Sequence, residues 1–281
     1  MDTNTHLVTT ENCTAEIYID VFNKRLRVDD LRGNIVEAIG KAEELVQTYQ
    51  AEKLIVKGRL EQYERLVELG FQCEAVIDSY FLGSKLFFFC KYYTNERRTS
   101  TQWIQEDQIV KNVLAIVGQK QISPPADCQM KKCSYQDAEA LASLYEKVFQ
   151  IYPTPLNDPQ YIRRTLDEGT IYYGFFSNGE IISAASAEVN SFYKNAELTD
   201  CATLPEHRKN GLMKFLLEKL EEELKSSEIF CVYSIARSLS FGMNAALYQL
   251  DYTYRGRLMN NCYIYDKLEN MNVWVKNLSK G

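Results

Sequence analysis

AELTDCATLPEHRKNGLMKFLLEKLEEEL, residues 196–224, decides the fold of this chain. A strand-like run ends at Pro205, a polar turn with one glycine follows, and a long amphipathic helix begins, its apolar face carried by Leu212, Phe215, Leu216, Leu220 and Leu224. The backbone N–H groups that open such a helix have no partner within it and sit at the positive end of its macrodipole. A turn bearing Arg208 and Gly211 at that point can hold a pyrophosphate, each contact contributing roughly 0.3–2 kcal/mol.

Outward from this stretch, composition narrows the class. The 281 residues suffice for one large domain or two of ordinary size, with about 75% of the unfolded surface open to burial. Hydrophobic residues make up 46% and charged residues 25%, as in a soluble globular protein, and a net charge of −6 gives no reason to expect nucleic acid as a partner. MDTNTHLVTTEN lacks the basic start and apolar core of a signal peptide, and no apolar run approaches the length of a membrane helix. The cytoplasm is the expected compartment and no membrane partner is expected. Eight scattered cysteines, without a C-x-x-C pair or a Cys/His cluster, read as buried thiols and make a metal site unexpected.

The pattern predicts an α+β chain in two parts. After a flexible segment 1–12, residues 14–28 read as a hairpin turning at Asn23-Lys24, and residues 29–50 as a helix with an acidic start. KLIVKG is a short buried strand, RLEQYERLVELG a helix stopped by Gly70, and the following run two strands joined at Leu82-Gly83-Ser84. A basic loop with Arg97 and Arg98, solvated or touching an anion, precedes a helix. Pro124-Pro125 mark a linker, dividing the chain into parts 13–122 and 127–281. Beyond it come a strand, a helix opened by Ser134 and Asp137, a proline-rich loop, a helix after Asp158, and a hairpin turning at Asn178-Gly179. The opening stretch follows, then strand IFCVYSIAR, a short helix and a last strand. The terminal stripe MNVWVKNL is expected against a sheet or a partner subunit, as in a homodimer.

Arg208-Lys209-Asn210-Gly211-Leu212-Met213 resembles motif A of the GNAT acyl-CoA N-acyltransferases: Arg or Gln, two residues, Gly, one residue, Gly or Ala. Met213 departs from that pattern by its size. The order of elements from about residue 130 onward resembles a GNAT domain, and residues 13 to about 95 resemble a degenerate closing half of one, without a phosphate turn; an unrelated packing domain is the alternative. The resemblance implies acetyl-CoA as co-substrate, with Ala202, Thr203 and Leu204 pairing with the pantetheine amides, residues 208–213 holding the phosphates, and Asn244 also at the cofactor.

Acyl transfer to an amine needs a proton acceptor. A lysine-like ammonium is about 3.4 units from neutral at pH 7, roughly 4.6 kcal/mol, and a positioned base recovers about 10²- to 10⁴-fold. Glu197, four residues before Cys201 in AELTDCA, resembles the catalytic Glu of histone-type GNAT enzymes, though a solvated strand carboxylate reads the same way. Asp200 falls on the opposite face of an ideal strand from Glu197, so both reach one pocket only through a bulge. Asp200 and Glu188 are expected to grip a substrate ammonium. The tyrosine acid of the family is out of register here, since counting back from Tyr252 reaches Leu247 rather than Tyr248, and Tyr233 is the alternative acid. Acylation of Cys201 is disfavoured, no histidine being adjacent to activate it.

NAELTDCATLPEHR, YSIARSLSFGMN and LENMNVWVKNL together resemble the β-lysine N6-acetyltransferases. That implies a small amine as partner, with Arg237 for its carboxylate and Asn260 and Asn261 for neutral hydrogen bonds. Acetylation of a protein lysine or a polyamine, and CoA binding without catalysis, are the rival functions.

Overall fold

The computed structural model describes residues 4–118, 123–125, 127–149, 154–208, 210–264 and 267–279. Strands β1 (Thr5–Thr9), β2 (Cys13–Asp20) and β3 (Arg25–Gly33) form an antiparallel meander; helix α1 (Ile35–Thr48) crosses to β4 (Lys53–Gly58), parallel to β3. Helix α2 (Tyr63–Glu68) leads into the hairpin β5 (Gln72–Ser79) and β6 (Gly83–Tyr92), and α3 (Asn95–Arg98) and α4 (Trp103–Leu114) follow. The second run begins with β7 (Cys128–Lys132), α5 (Ala138–Val148) and α6 (Pro159–Asp167), then the meander β8 (Ile171–Ser177), β9 (Glu180–Asn190) and β10 (Asn195–Thr203). Helix α7 (Leu212–Ser226) crosses to β11 (Cys231–Arg237), parallel to β10, and α8 (Phe241–Gln249) leads into the hairpin β12 (Thr253–Ile264) and β13 (Lys267–Asn277).

One frame is used twice. The sheet order is β1-β2-β3-β4-β6-β5-β12-β13-β11-β10-β9-β8-β7, so β1 to β6 repeat the arrangement of β8 to β13, and the C-terminal half adds β7, α5 and α6. Alternation along β3 and β4 sends Leu26, Val28, Leu54 and Val56 into the core with Ala38, Ile39 and Ala42 of α1. Arg27, Asp29, Ile55 and Lys57 therefore take the other face. In the second half Ala196, Leu198 and Val232 enter the core with Leu216 and Leu220 of α7, leaving Glu197 and Tyr233 on the opposite face. The registers correspond: Arg27 stands against Ile55 as Glu197 stands against Tyr233.

The halves meet face to face and edge to edge. Ile55, Ile77, Phe88 and Cys90 of the first half share a core with Tyr233, Leu258, Val273 and Val275 of the second. At the edge, buried Lys53 donates to the Met259 carbonyl (2.6 Å) and to Glu74 (3.1 Å), and buried Arg97 donates to the carbonyls of Asn23 (2.7 Å) and Asn261 (3.0 Å). Gly256 lies opposite Ala75 at the join with φ +127°, and a Cβ there would stand 2.3 Å from the Glu74 carbonyl oxygen and 2.7 Å from the Ala75 Cα. Gly256→Val should therefore cost about 2–4 kcal/mol, seen as a melting temperature lower by about 5–10 °C. An unchanged melting temperature would contradict the close approach.

Several sequence expectations change. Thr5–Thr9, expected to be flexible, pair with β2 as the edge strand. Residues 29–33 extend β3 rather than opening a helix, which starts only after the cap Asn34, whose side chain accepts from Glu37 N. Helix α4, expected with the first part, packs on the second: Val113 joins the core of Leu247 and Trp274. All of MNVWVKNL but Leu278 lies within β13, which sits between β12 and β11 and so is interior to the sheet. Its apolar residues, interrupted by Asn272, Lys276 and Asn277, read from sequence as a stripe, and only its two neighbours make it a central strand. Among the described residues no helix is long and apolar enough to cross a membrane.

Candidate active site

The parallel pairing of β10 and β11 covers only Asn195–Glu197 with Cys231–Tyr233, whereas β11 runs on to Arg237 against β13. Beyond Glu197 the two strands diverge. The cause lies in β10: its register against β9 shifts between Thr199 and Ala202, and Asp200 takes φ +50°. Asp tolerates the left-handed region better than most residues, and a bulge of this kind bends a strand out of its ladder. The result is a wedge with unpaired backbone on the β11 side, where an extended chain of amides such as pantetheine can pair as an added strand.

Below the wedge, Pro205–His207 make a single turn, and Gly211 caps α7 at φ +70° without any capping side chain. The amides of Leu212 and Met213 therefore open the helix without an intrahelical acceptor, as a phosphate site requires. Met213 packs its side chain against the core, so its bulk leaves the N–H in place. Arg208 is exposed beside the turn, with Nε donating to the Thr203 carbonyl (3.2 Å); Asn210 is half-buried, and Lys209 lies outside the described residues. Leu204 differs from expectation: its N–H donates to the Ile182 carbonyl (3.0 Å) and its own carbonyl accepts from His207 (2.9 Å), so the turn itself uses both groups.

At the apex of the wedge Glu197 pairs with Tyr233 on one side and Glu188 on the other, and register places the three side chains on one face. Glu188 is reached by water and Glu197 is half-buried. Burial, and then the charge of Glu188, push the Glu197 carboxyl up to about 7, against the opposing pull of Lys57, Arg27 and a hydrogen bond from the Tyr233 hydroxyl. Partial desolvation by the surrounding protein also raises Glu188, even though water reaches it, opposed by Arg27 and Lys57. Tyr233 is held protonated by burial, with Tyr80 and Glu197 adding to the effect. Two crowded carboxylates therefore share a site in which one is poised near neutrality, as a general base should be.

Facing them from the first half stand residues that pattern alone did not single out. Arg27 grips Asp29 through Nε (2.6 Å) and Nη2 (3.0 Å), and Lys57 Nζ lies 2.7 Å from the same carboxylate. Burial opposes both charges, yet Asp29 keeps Arg27 and Lys57 firmly protonated, and they hold Asp29 below the usual carboxylate range. Lys57 also donates to the Tyr80 hydroxyl (3.3 Å), and the Tyr80 ring lies 5.8 Å from that of Tyr233, which joins the two sets geometrically. Tyr193, in the β9–β10 turn, clamps the halves: its hydroxyl donates to Asp30 (2.7 Å) and accepts from Arg32 (2.8 Å) and Arg59 (3.0 Å). The available signal was RLRVDD, in which charge occupies every second position opposite an apolar face.

Other expected site residues are used elsewhere. Asp200, brought by the bulge to Ser186 (2.7 Å), is buried, and with Glu188 it raises Tyr161 on α6 after the larger effect of burial. Arg237 forms a two-pronged pair with Glu269 (2.6 and 2.5 Å), the local carboxylate pairing that competes with substrate. Asn260 donates to the carbonyls of Glu96, Arg97 and Thr99, and the Asn261 carbonyl receives Arg25 and Arg97, so both tie the seam instead of lining the cleft. Asn244, on the inner face of α8, is fully buried and holds four partners. Arg97 is buried rather than solvated, and Tyr248 donates to the Leu114 carbonyl (3.2 Å). Cys201 is pushed up by burial and by Asp200, which keeps it a thiol. A separate depression of about 450 Å³, lined by Asp107, Lys111, Tyr254 and Arg257, contains none of these acyl-transfer groups.

A split parallel pair, a bare helix N-terminus below it and a carboxylate poised at its apex define an acyl-transfer enzyme that uses a pantetheine thioester. The Acetyltransferase (GNAT) family model matches residues 138–248. An N-acetyltransferase of Bacillus subtilis, YodP, is 39% identical over 94% of this chain and 96% of its own length. Two β-lysine N(6)-acetyltransferases, of Methanosarcina mazei and Methanococcus maripaludis, are 33% and 31% identical over 89% and 92% of this chain, and over 100% and 95% of their own. The chain belongs to the GNAT acetyltransferase family and is an acetyl-CoA-dependent N-acetyltransferase.

Proposed function

We propose that this enzyme acetylates the terminal (N6) amine of β-lysine, giving Nε-acetyl-β-lysine, with Glu197 as general base. The observation that carries this reading is the raised Glu197 carboxyl, set between Glu188 and Tyr233 where the wedge opens into a charged cleft. Acetyl-CoA supplies an activated acyl carbon; the residues must deliver a neutral amine to it. Glu188 and Glu197 attract the ammonium, Glu197 accepts its proton, and the freed lone pair attacks the thioester carbonyl. As the C–N bond forms and the C–S bond breaks, the Tyr233 hydroxyl protonates the leaving sulfur, and the second proton shed by the acylated nitrogen restores the hydroxyl. Attack is direct, since Cys201 stays protonated and its Sγ contacts the Thr199 carbonyl at 3.5 Å.

Relatives named as β-lysine N(6)-acetyltransferases match this chain along both halves, which supports β-lysine over an unrelated amine. A polyamine is the weaker reading, because it has no carboxylate to set against the charges of Arg27 and Lys57. The product is a compatible solute, and cytoplasmic osmoadaptation is the role proposed for it. Release of CoA with β-lysine, α-lysine, spermidine and a lysine peptide tests the substrate: kcat/KM should be highest for β-lysine. Turnover of another of these amines without turnover of β-lysine would refute it.

A further inference from the structure

Each half carries the same strand frame, but only the second carries the apparatus for a thioester. In the first half the β3–β4 pairing ends at Val28 and Val56 and β3 shifts register against β2 at Asp29, so the strands alone do not tell the halves apart; the helix start does. The start of α1 is already occupied. The Asn34 side chain caps it, the Asn34 amide donates to the Asn12 carbonyl (2.9 Å), and a Cβ on Gly33 would lie 2.1 Å from that oxygen. No phosphate can approach there. What the first half offers is the position that corresponds to Glu197, and there it carries Arg27, near enough to Glu197 for their charges to interact.

The charges on this wall do not balance. Arg27 and Lys57 share a single carboxylate, Asp29, so the group keeps one positive charge. Asp29 takes Arg27 Nε and one Nη2 hydrogen, while the Arg27 Nη1 group makes no hydrogen bond among the described residues. Lys57 uses two of its three donors, on Asp29 and Tyr80. Asp29 thus serves to fix the two cations with donors left over, a geometry suited to a planar carboxylate. Tyr18, whose ring lies 5.2 Å from the Arg27 guanidinium, and Tyr161 on α6, within electrostatic reach of Glu188 and Tyr18, are the aromatic neighbours of this group.

We infer that the N-terminal half is the substrate-recognition half, in which Arg27 and Lys57, held by Asp29, bind the carboxylate of a diamino monocarboxylate while its far amine reaches Glu197. The inference rests on the amine-acetylating reading above but not on β-lysine itself. It also explains why Arg237 can be committed to Glu269.

The test compares kcat/KM for β-lysine and for the matching diamine lacking only the carboxylate, in the full-length enzyme and in Arg27→Gln and Lys57→Met variants. The ratio is the readout, because loss of a cation near Glu197 alters the base for both amines alike and cancels. Charge-assisted hydrogen bonds predict that the ratio falls about 10- to 150-fold in each variant, with partial recovery in Lys57→Arg. A wild-type enzyme that turns over the diamine as well as the amino acid, or variants that lower both equally, would overturn the inference. If β-lysine is not a substrate but another diamino acid is, and its ratio against its own diamine collapses in the variants, the substrate reading fails and this inference stands. Should no amine turn over, calorimetric binding of β-lysine no tighter than that of the diamine overturns it.

Discussion

Glu197→Gln is expected to lower kcat by about 10²- to 10⁴-fold while leaving the KM for acetyl-CoA within a small factor of wild type. The amide keeps the size of the side chain but cannot accept a proton. In the wild type kcat/KM should rise with pH up to about 7 and then level, because the carboxyl raised to about 7 must lose its proton to act; that limb should vanish in the variant. Stability moves the other way. Because the folded-state value lies above the unfolded one, the folded protein holds the extra proton as pH rises through the ordinary Glu range, and stability is lost until the carboxyl ionises near 7. Glu197→Gln should therefore melt a few degrees higher than wild type at pH 8 and level with it near pH 4. An unchanged kcat would remove Glu197 from the base role, and a tighter melt at both pH values would remove its buried charge as the cause.

Asn244→Ala should do the reverse, costing about 3–5 kcal/mol of stability and leaving the KM for acetyl-CoA unchanged. The Asn244 amide donates to the carbonyls of Arg237 (2.9 Å) and Ser240 (2.7 Å), and its carbonyl accepts from Asn272 Nδ2 (2.8 Å) and the Trp274 indole (2.8 Å). Truncation strands two buried donors, Asn272 Nδ2 and the Trp274 indole, at the junction of β11, α8 and β13, while the Arg237 and Ser240 carbonyls keep only their backbone partners. A fall in melting temperature of about 6–15 °C measures it. A raised KM for acetyl-CoA with an unaltered melt would instead return Asn244 to the cofactor.

Much of the frame was legible because local chemistry decides it. Asn178-Gly179, both at positive φ, turn the β8–β9 hairpin; Asp158 caps α6; and Ser134 and Asp137 open α5 as their spacing requires. The β10–Gly211–α7 unit likewise follows from alternation, one left-handed glycine and an apolar stripe. Less legible were residues whose role depends on a distant partner. Asp29 and Asp30 look like an acidic helix start, yet pairing of residues 30–33 with β2 keeps the chain in a strand up to the cap Asn34. Arg97, in a polar run, is buried because two carbonyls from separate segments converge on it. Arg237 carries the right charge for a substrate carboxylate, but Glu269, 32 residues away, takes its donors.

The stretch 196–224 by itself determined that a strand, a bare helix start and a candidate base follow one another, because each is set by neighbours a few residues away. Tertiary structure alone decided what Glu197 faces. Its raised carboxyl depends on burial and on Glu188, paired with it across β9, and the cations that oppose the shift come from strands some 140 to 170 residues earlier in the chain. Long-range burial and charge set both the proton affinity and the company of that side chain, and no local pattern encodes either.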